Sequence, residues 1–211
     1  MVNGLRKGNP PVPMRSRPHS DTAARILDSA ERLVQNRGFN GFSYADIAAE
    51  LGITKASLHY HFASKAGLGE AVIARYTAHA VETLAAIEST VTAGPDRLRA
   101  YADQYADRLS DNKLGLCGML AAELQTIPGP MRHALITFFD ANEAWLERVL
   151  EQGRADRSLS FDGPTENTAR TIVAVLQGAL LVTRPYGDAD RFRATTEQFL
   201  TGLTGGRNAR G

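Results

Sequence analysis

The sequence predicts an all-α protein of about nine helices, a three-helix N-terminal unit followed by a larger helical half. Three observations predict it. Apolar residues recur at spacings of three and four from Asp21 onward, no stretch alternates as a half-buried strand would, and Gly/Pro pairs interrupt the helical pattern repeatedly. Of the 211 residues, 43% are hydrophobic, enough for a sizeable core without metal or disulfides. The single cysteine, Cys117, excludes an internal disulfide. The sequence contains no signal-like apolar run at its start and no stretch approaching ~18 apolar residues, so a cytoplasmic chain with no membrane partner is expected.

Residues 1–20 hold Pro10, Pro11, Pro13 and Pro18 among polar and basic side chains and read as a disordered basic arm. Ile26, Leu27, Ala30, Leu33 and Val34 then fall on one helical face, and Gly38 supplies a left-handed end to that first helix. Ser43 can cap a short second helix, with Asp46 three residues on, and Ile47, Ala48 and Leu51 give it a buried face. Gly52 permits a sharp turn, Ile53 can plug the angle, and Thr54 caps a third helix reaching about His61. Ser64 opens a long fourth helix carrying Leu68, Val72, Tyr76 and Leu84, and Gly94-Pro95 starts a fifth. Further helices are expected at about 114–125, 130–154, 166–183 and 190–203, separated by Pro128-Gly129, Asp162-Gly163-Pro164 and Pro185-Tyr186-Gly187. The expected division is an arm at 1–20, a helix-turn-helix unit at 21–66, a second domain at 67–205 and a tail at 206–211.

Helix, Gly-containing turn and second helix over 42–62 suit a DNA major groove about 12 Å wide, because the N-terminal residues of the second helix then reach base edges. No acidic side chain lies between Glu50 and Glu70, so this face meets phosphates without repulsion. Thr54, Lys55, Ala56 and Ser57 form the leading turn; Lys55 can reach a guanine edge or a phosphate, and Ser57 either. Tyr60 and His61 can donate to phosphates, and Lys65 adds a phosphate contact beside the start of the fourth helix. Tyr44 reads equally as packing or as a phosphate contact. Leu58 and Phe62 read as core. His59 and His61 are two residues apart and cannot share a helix face, so no metal is expected, and no cofactor.

The net charge is only +1, but its distribution is uneven. The arm is +4 through Arg6, Lys7, Arg15 and Arg17, residues 21–76 are balanced, and the remainder is −3. The arm reads either as a solvated tail or as a segment that tracks phosphates or enters the minor groove. In the second case, removing residues 2–18 should weaken DNA binding and flatten its salt dependence by about 0.9 log units for each phosphate no longer neutralised.

The string from Arg37-Gly38-Phe39 through Ile47-Ala48 and Leu51-Gly52-Ile53-Thr54-Lys55 to Leu58-His59-Tyr60-His61-Phe62 and Ser64-Lys65 resembles the TetR family of bacterial regulators over about 50 residues. Beyond it, the chain is similar to that family in helix order only. His59 stands where many members carry tyrosine. The resemblance implies double-stranded operator DNA as partner, a homodimer, and a second half that senses a small-molecule effector.

For pairing, the last two helices place Ile172, Leu176, Ala179, Leu180, Phe192, Phe199 and Leu203 along apolar stripes suited to a four-helix interface, with Gly178 allowing close approach. For an effector, Tyr101, Tyr105, Cys117, Glu123, Phe138, Phe139, Asn142 and Gln177 are candidates by helix position. Glu123 lies in an otherwise apolar segment and either needs a buried partner or faces solvent. Cys117 reads as an inert buried thiol, with a reactive thiol at a helix start as the alternative.

The expected function is a sequence-specific DNA-binding transcriptional regulator, a repressor released from its operator by a small molecule. The alternative is a DNA-bound scaffold controlled by a protein partner, which an enlarged apolar surface without an internal cavity would favour. An enzyme is not expected: the sequence has no Gly-rich phosphate loop, no metal-spaced His or Cys cluster and no recognisable nucleophile-base pair, and His79 and His133 stand alone.

Overall fold

The computed structural model describes residues 18–110 and 115–204. The basic residues of the expected arm, the expected start of the sixth helix at Leu114 and the expected tail lie outside them. Among the described residues the chain forms nine α-helices: α1 (Pro18–Arg37), α2 (Tyr44–Leu51), α3 (Lys55–His61), α4 (Lys65–Thr90), α5 (Gly94–Ser110), α6 (Leu116–Ala122), α7 (Gly129–Ala155), α8 (Thr165–Thr183) and α9 (Ala189–Thr201). A single 3-10 turn, Arg184–Tyr186, follows α8, and one isolated bridge joins Ser160 to Thr204.

The capping residues act as their chemistry requires. Gly38 and Gly52 both hold left-handed backbone, at φ 76° and 66°, which ends α1 and α2 where a side chain would be strained. The Asp46 carboxylate accepts the Ser43 N–H and hydroxyl, each at 2.7 Å, and these bonds hold it below the usual carboxylate range. The Thr54 hydroxyl oxygen accepts the Ser57 N–H at 3.1 Å, and that of Ser64 accepts the Gly67 N–H at 3.1 Å.

Helix boundaries differ from expectation at several points. α1 begins at Pro18, inside the expected arm, because a proline at the first helical position lacks only an N–H that would have had no partner. α6 stops at Ala122 instead of Gln125: the N–H groups of Thr126 and Ile127 turn back to the Glu123 carbonyl ahead of Pro128, which disfavours helix in the residue before it. α9 ends at Thr201, two residues before Leu203.

Two apolar cores result. The first gathers Ile26, Leu33 and Val34 of α1, Ile47, Leu58, and Leu68, Val72 and Ile73 of α4. It continues without a break into Leu116, Cys117 and Leu120 of α6 and Met131, Leu135 and Phe138 of α7. The expected boundary at 66/67 is therefore crossed by continuous packing. The second core joins the far end of α4 to α5, the second half of α7, α8 and α9, around Trp145, Leu146, Leu150, Ile172, Leu176 and Phe192.

Candidate nucleic-acid interface and effector cavity

α2 and α3 present the leading turn of α3 outward. Leu58 is fully buried and anchors the helix, while Thr54, Lys55, Ala56 and Tyr60 are exposed and Ser57 and His61 half-exposed. Tyr60 is 71% exposed. Its ring meets that of His61 edge-on at 5.3 Å. Lys55 lies beside a shallow notch shared with Ser43, Tyr44, Ala45 and His59, at the start of α2.

Three of the expected contacts also make contacts within the protein. Tyr44 is buried, its hydroxyl donates to the Phe62 carbonyl at 2.9 Å, and burial pushes its pKa up to about 12. Tyr44 thus takes part in the packing of this unit. His59 leans on the Tyr44 ring at 4.8 Å, with Nδ1 3.3 Å from the Ala63 carbonyl, although the residue remains exposed. The Lys65 ammonium donates to the carbonyls of Phe39 and Phe42 and sits over both their rings, at 4.5 and 4.3 Å. Burial lowers its pKa. This cation fastens the start of α4 to the loop between α1 and α2, and its charge faces that loop.

Glu123 approaches the same loop. Its carboxylate accepts the Phe39 N–H at 2.9 Å and the Asn40 N–H at 3.4 Å, and Asn40 Nδ2 donates to Thr126 at 2.7 Å. A Cβ at position 38 would overlap this carboxylate. Glu123 thus ties the α6–α7 corner to the helix-turn-helix.

The effector candidates separate into three places. Tyr101, Tyr105, Phe138 and Asn142 line one cavity of about 50 Å³ between α4, α5 and α7. Tyr76, His79, Ala80, Thr83, Leu84 and Gln104 complete it. The α4 members recur at helical spacing, so one face of α4 was the available signal, and His79 acquires neighbours that its isolation in sequence concealed. Phe139 and Gln177 belong to a separate apolar cleft between α6 and α8, with Met119 and Leu181. Cys117 is 1% exposed within the first core and lines neither cavity.

The dimer candidates require a larger correction. Ile172, Leu176, Leu180 and Phe192 are at most 1% exposed within the single chain, packed into the second core, and Phe199 and Leu203 are partly buried against it. An amphipathic helix buries its widest apolar stripe on its own chain first. What α8 leaves outside is a second stripe of Ala174, Val175, Gly178, Leu181 and Val182, with Leu181 and Val182 at 57% and 63% exposure. Of the original set only Ala179 borders it.

Comparison with known proteins agrees with this architecture. Residues 26–72 match the model of bacterial regulatory proteins of the tetR family, and residues 94–199 match the tetracyclin repressor-like C-terminal domain. The transcriptional repressor NemR of Escherichia coli is 27% identical over 172 residues, covering 80% of this chain and 86% of NemR. A TetR-family regulator from Agrobacterium tumefaciens superposes with a TM-score of 0.86 at 32% identity, over 89% of this chain and all of that one. One from Legionella pneumophila does so at 0.76 and 32%, over 84% and 94%. The C-terminal match alone spans half of the residues and the N-terminal match carries the helix-turn-helix, so the chain belongs to the TetR family of DNA-binding transcriptional regulators.

Proposed function

We propose that the protein is a cytoplasmic repressor that binds a pseudo-palindromic operator as a homodimer and leaves it when a small molecule enters the cavity between α4, α5 and α7. The observation that carries this reading is the outward leading turn of α3, with Lys55 and Tyr60 exposed and no acidic residue anywhere on that helix. In the major groove, Lys55 would meet a guanine edge or phosphate, while Ser57, Tyr60 and His61 would hold phosphates and set register. Thr54, already capping α3 with its oxygen, retains its hydroxyl hydrogen for a phosphate. Pairing through the outer stripe of α8 would present two α3 helices about one helical turn apart.

Release follows from the size of the cavity. At about 50 Å³ it holds a few waters, whereas a cavity that accepts a benzene is ~150 Å³. A ring-sized ligand must therefore separate α4 from α5 and α7. The start of α4 is fastened to the helix-turn-helix through Lys65, so displacing α4 moves α3 and changes the spacing of the two recognition helices. A scaffold answering to a protein partner would need no such cavity, and the cavity favours the small-molecule reading.

The test is to sequence DNA fragments selected by the purified protein and then measure their release by small molecules. Recovery of a two-fold-related motif, with Lys55→Ala weakening its binding at least tenfold, is the expected result. Absence of any sequence preference at physiological salt would refute it.

A further inference from the structure

We propose that the apolar cleft between α6 and α8 is a second ligand site, which takes a small amphipathic monocarboxylate with its apolar body in the cleft and its carboxylate on Arg184. This site is separate from the α4–α5–α7 cavity and does not rest on the effector reading above. Met119 and Ala122 of α6, Phe139 of α7, and Leu180 and Leu181 of α8 give the cleft apolar walls around a volume of about 210 Å³. A cavity that accepts a benzene is ~150 Å³, so a ring with a short chain fits here as the helices stand. Leu181 is 57% exposed, and an apolar body in the cleft would cover it.

The demand for an anion comes from Arg184. It follows Leu180 and Leu181 at helical spacing, with helical backbone at φ −50° and ψ −46°, and so stands one turn beyond them on the same side of α8. Its Nη1 lies 3.9 Å from Sδ of Met119 in the α6 wall, a weak acceptor that leaves the charge unanswered. Arg32, Arg75, Arg99, Arg170 and Arg193 all pair with carboxylates. Arg184 pairs with none among the described residues. Asp188, the nearest acid along the chain, is engaged with the N–H groups of Asp190 and Arg191 at the start of α9. Arg184 is half-buried, so a carboxylate can meet its guanidinium fork at the edge of the cleft and keep part of its own hydration. Gln177 adds an amide to the cleft wall. Its Oε1 lies 2.6 Å from where a Cβ on Gly118 would stand, so the glycine is what admits the amide there. Apolar walls with a few placed polar groups are the usual make-up of a small-molecule site.

The intact protein, in its own oligomeric state, is titrated by calorimetry with phenylbutyrate, phenylbutyramide, phenylbutylamine and acetate. Phenylbutyrate is expected to bind at least tenfold more tightly than each of the other three, since only it has both the apolar body and the negative charge. Arg184→Gln should erase its advantage over the amide. Ala122→Phe, which fills the cleft from α6, should abolish binding, whereas Ala80→Leu, which fills the α4–α5–α7 cavity, should leave it unchanged. Cooperative thermal unfolding of each variant shows that it is folded. Any of the three other probes binding as tightly as phenylbutyrate, an undiminished preference in Arg184→Gln, binding that persists in Ala122→Phe, or binding lost in Ala80→Leu would each overturn the proposal. So would binding by none of the four, the result expected if a second copy of the chain, seated on Gly178 and Leu181, fills the cleft instead.

Discussion

The Lys65 ammonium faces two carbonyls and two aromatic rings inside the protein, whereas Lys55, in the leading turn of α3, faces outward. The two lysines should therefore separate by assay. Lys65→Ala leaves the Phe39 and Phe42 carbonyls without their donor and is expected to lower stability by about 1–3 kcal/mol, read from chemical denaturation, with little change in the salt slope of DNA binding. Lys55→Ala should leave stability unchanged and reduce that slope by about 0.9 if its contact is a phosphate. Asp46 supplies a pH test. Its carboxyl is held below the usual range by the Ser43 hydroxyl and N–H, so the folded state binds this proton more weakly than the unfolded chain. Its contribution is complete above the unfolded value of about 3.9 and is lost as pH falls through the lowered folded value. Asp46→Asn should flatten this part of the acid limb, measured by denaturation at neutral pH and at successively lower pH.

At the scale of elements, the loop between α1 and α2 is held by two side chains, Lys65 at the start of α4 and Glu123 after α6. Gly38, at φ 76° and against the Glu123 carboxylate, permits the second contact. Gly38→Ala should destabilise by more than about 1 kcal/mol, since a left-handed backbone and a steric overlap coincide. Glu123→Ala removes the acceptor of the Phe39 N–H and should weaken operator binding through misplacement of α2, while Glu123→Gln, which keeps an acceptor oxygen, should restore most of it; equal weakening in both would contradict a positioning role. Much of this level was legible in sequence. Ser43, Gly52, Thr54 and Ser64 act within three or four residues of themselves, so their roles are readable from spacing. Glu123 was not legible, because its partners Phe39 and Asn40 lie more than eighty residues away. The inward turn of Lys65 was hidden for the same reason.

Across the whole molecule, the two cores divide the chain differently from the two matched sequence regions, since α6 and the start of α7 pack with α1–α4. Displacing α6 or the start of α7 would therefore bear on the helix-turn-helix through packed side chains as well as through the Glu123 contact. The outer stripe of α8 supplies the expected surface for pairing. Leu181→Asp, at a position 57% exposed in the single chain, should leave each protomer folded but shift it to monomer in analytical ultracentrifugation and weaken operator binding. A fully dimeric Leu181→Asp protein would place the interface elsewhere.

By itself the sequence determined the all-helical class, the order of the helices, the ends set by Gly38, Ser43, Gly52, Thr54 and Ser64, and the helix-turn-helix with its exposed leading turn. Those follow from periodicity and from hydrogen bonds between near neighbours. Only the tertiary structure decided which apolar stripe of α8 is spent inside the chain, that Tyr44 and Lys65 turn inward, and that Tyr101, Tyr105 and Asn142 meet beside a cavity. The physical reason is that a helix's pattern states how much apolar surface it must bury, while the helix that covers it, and the partner each buried polar group finds, depend on contacts between residues far apart in the chain.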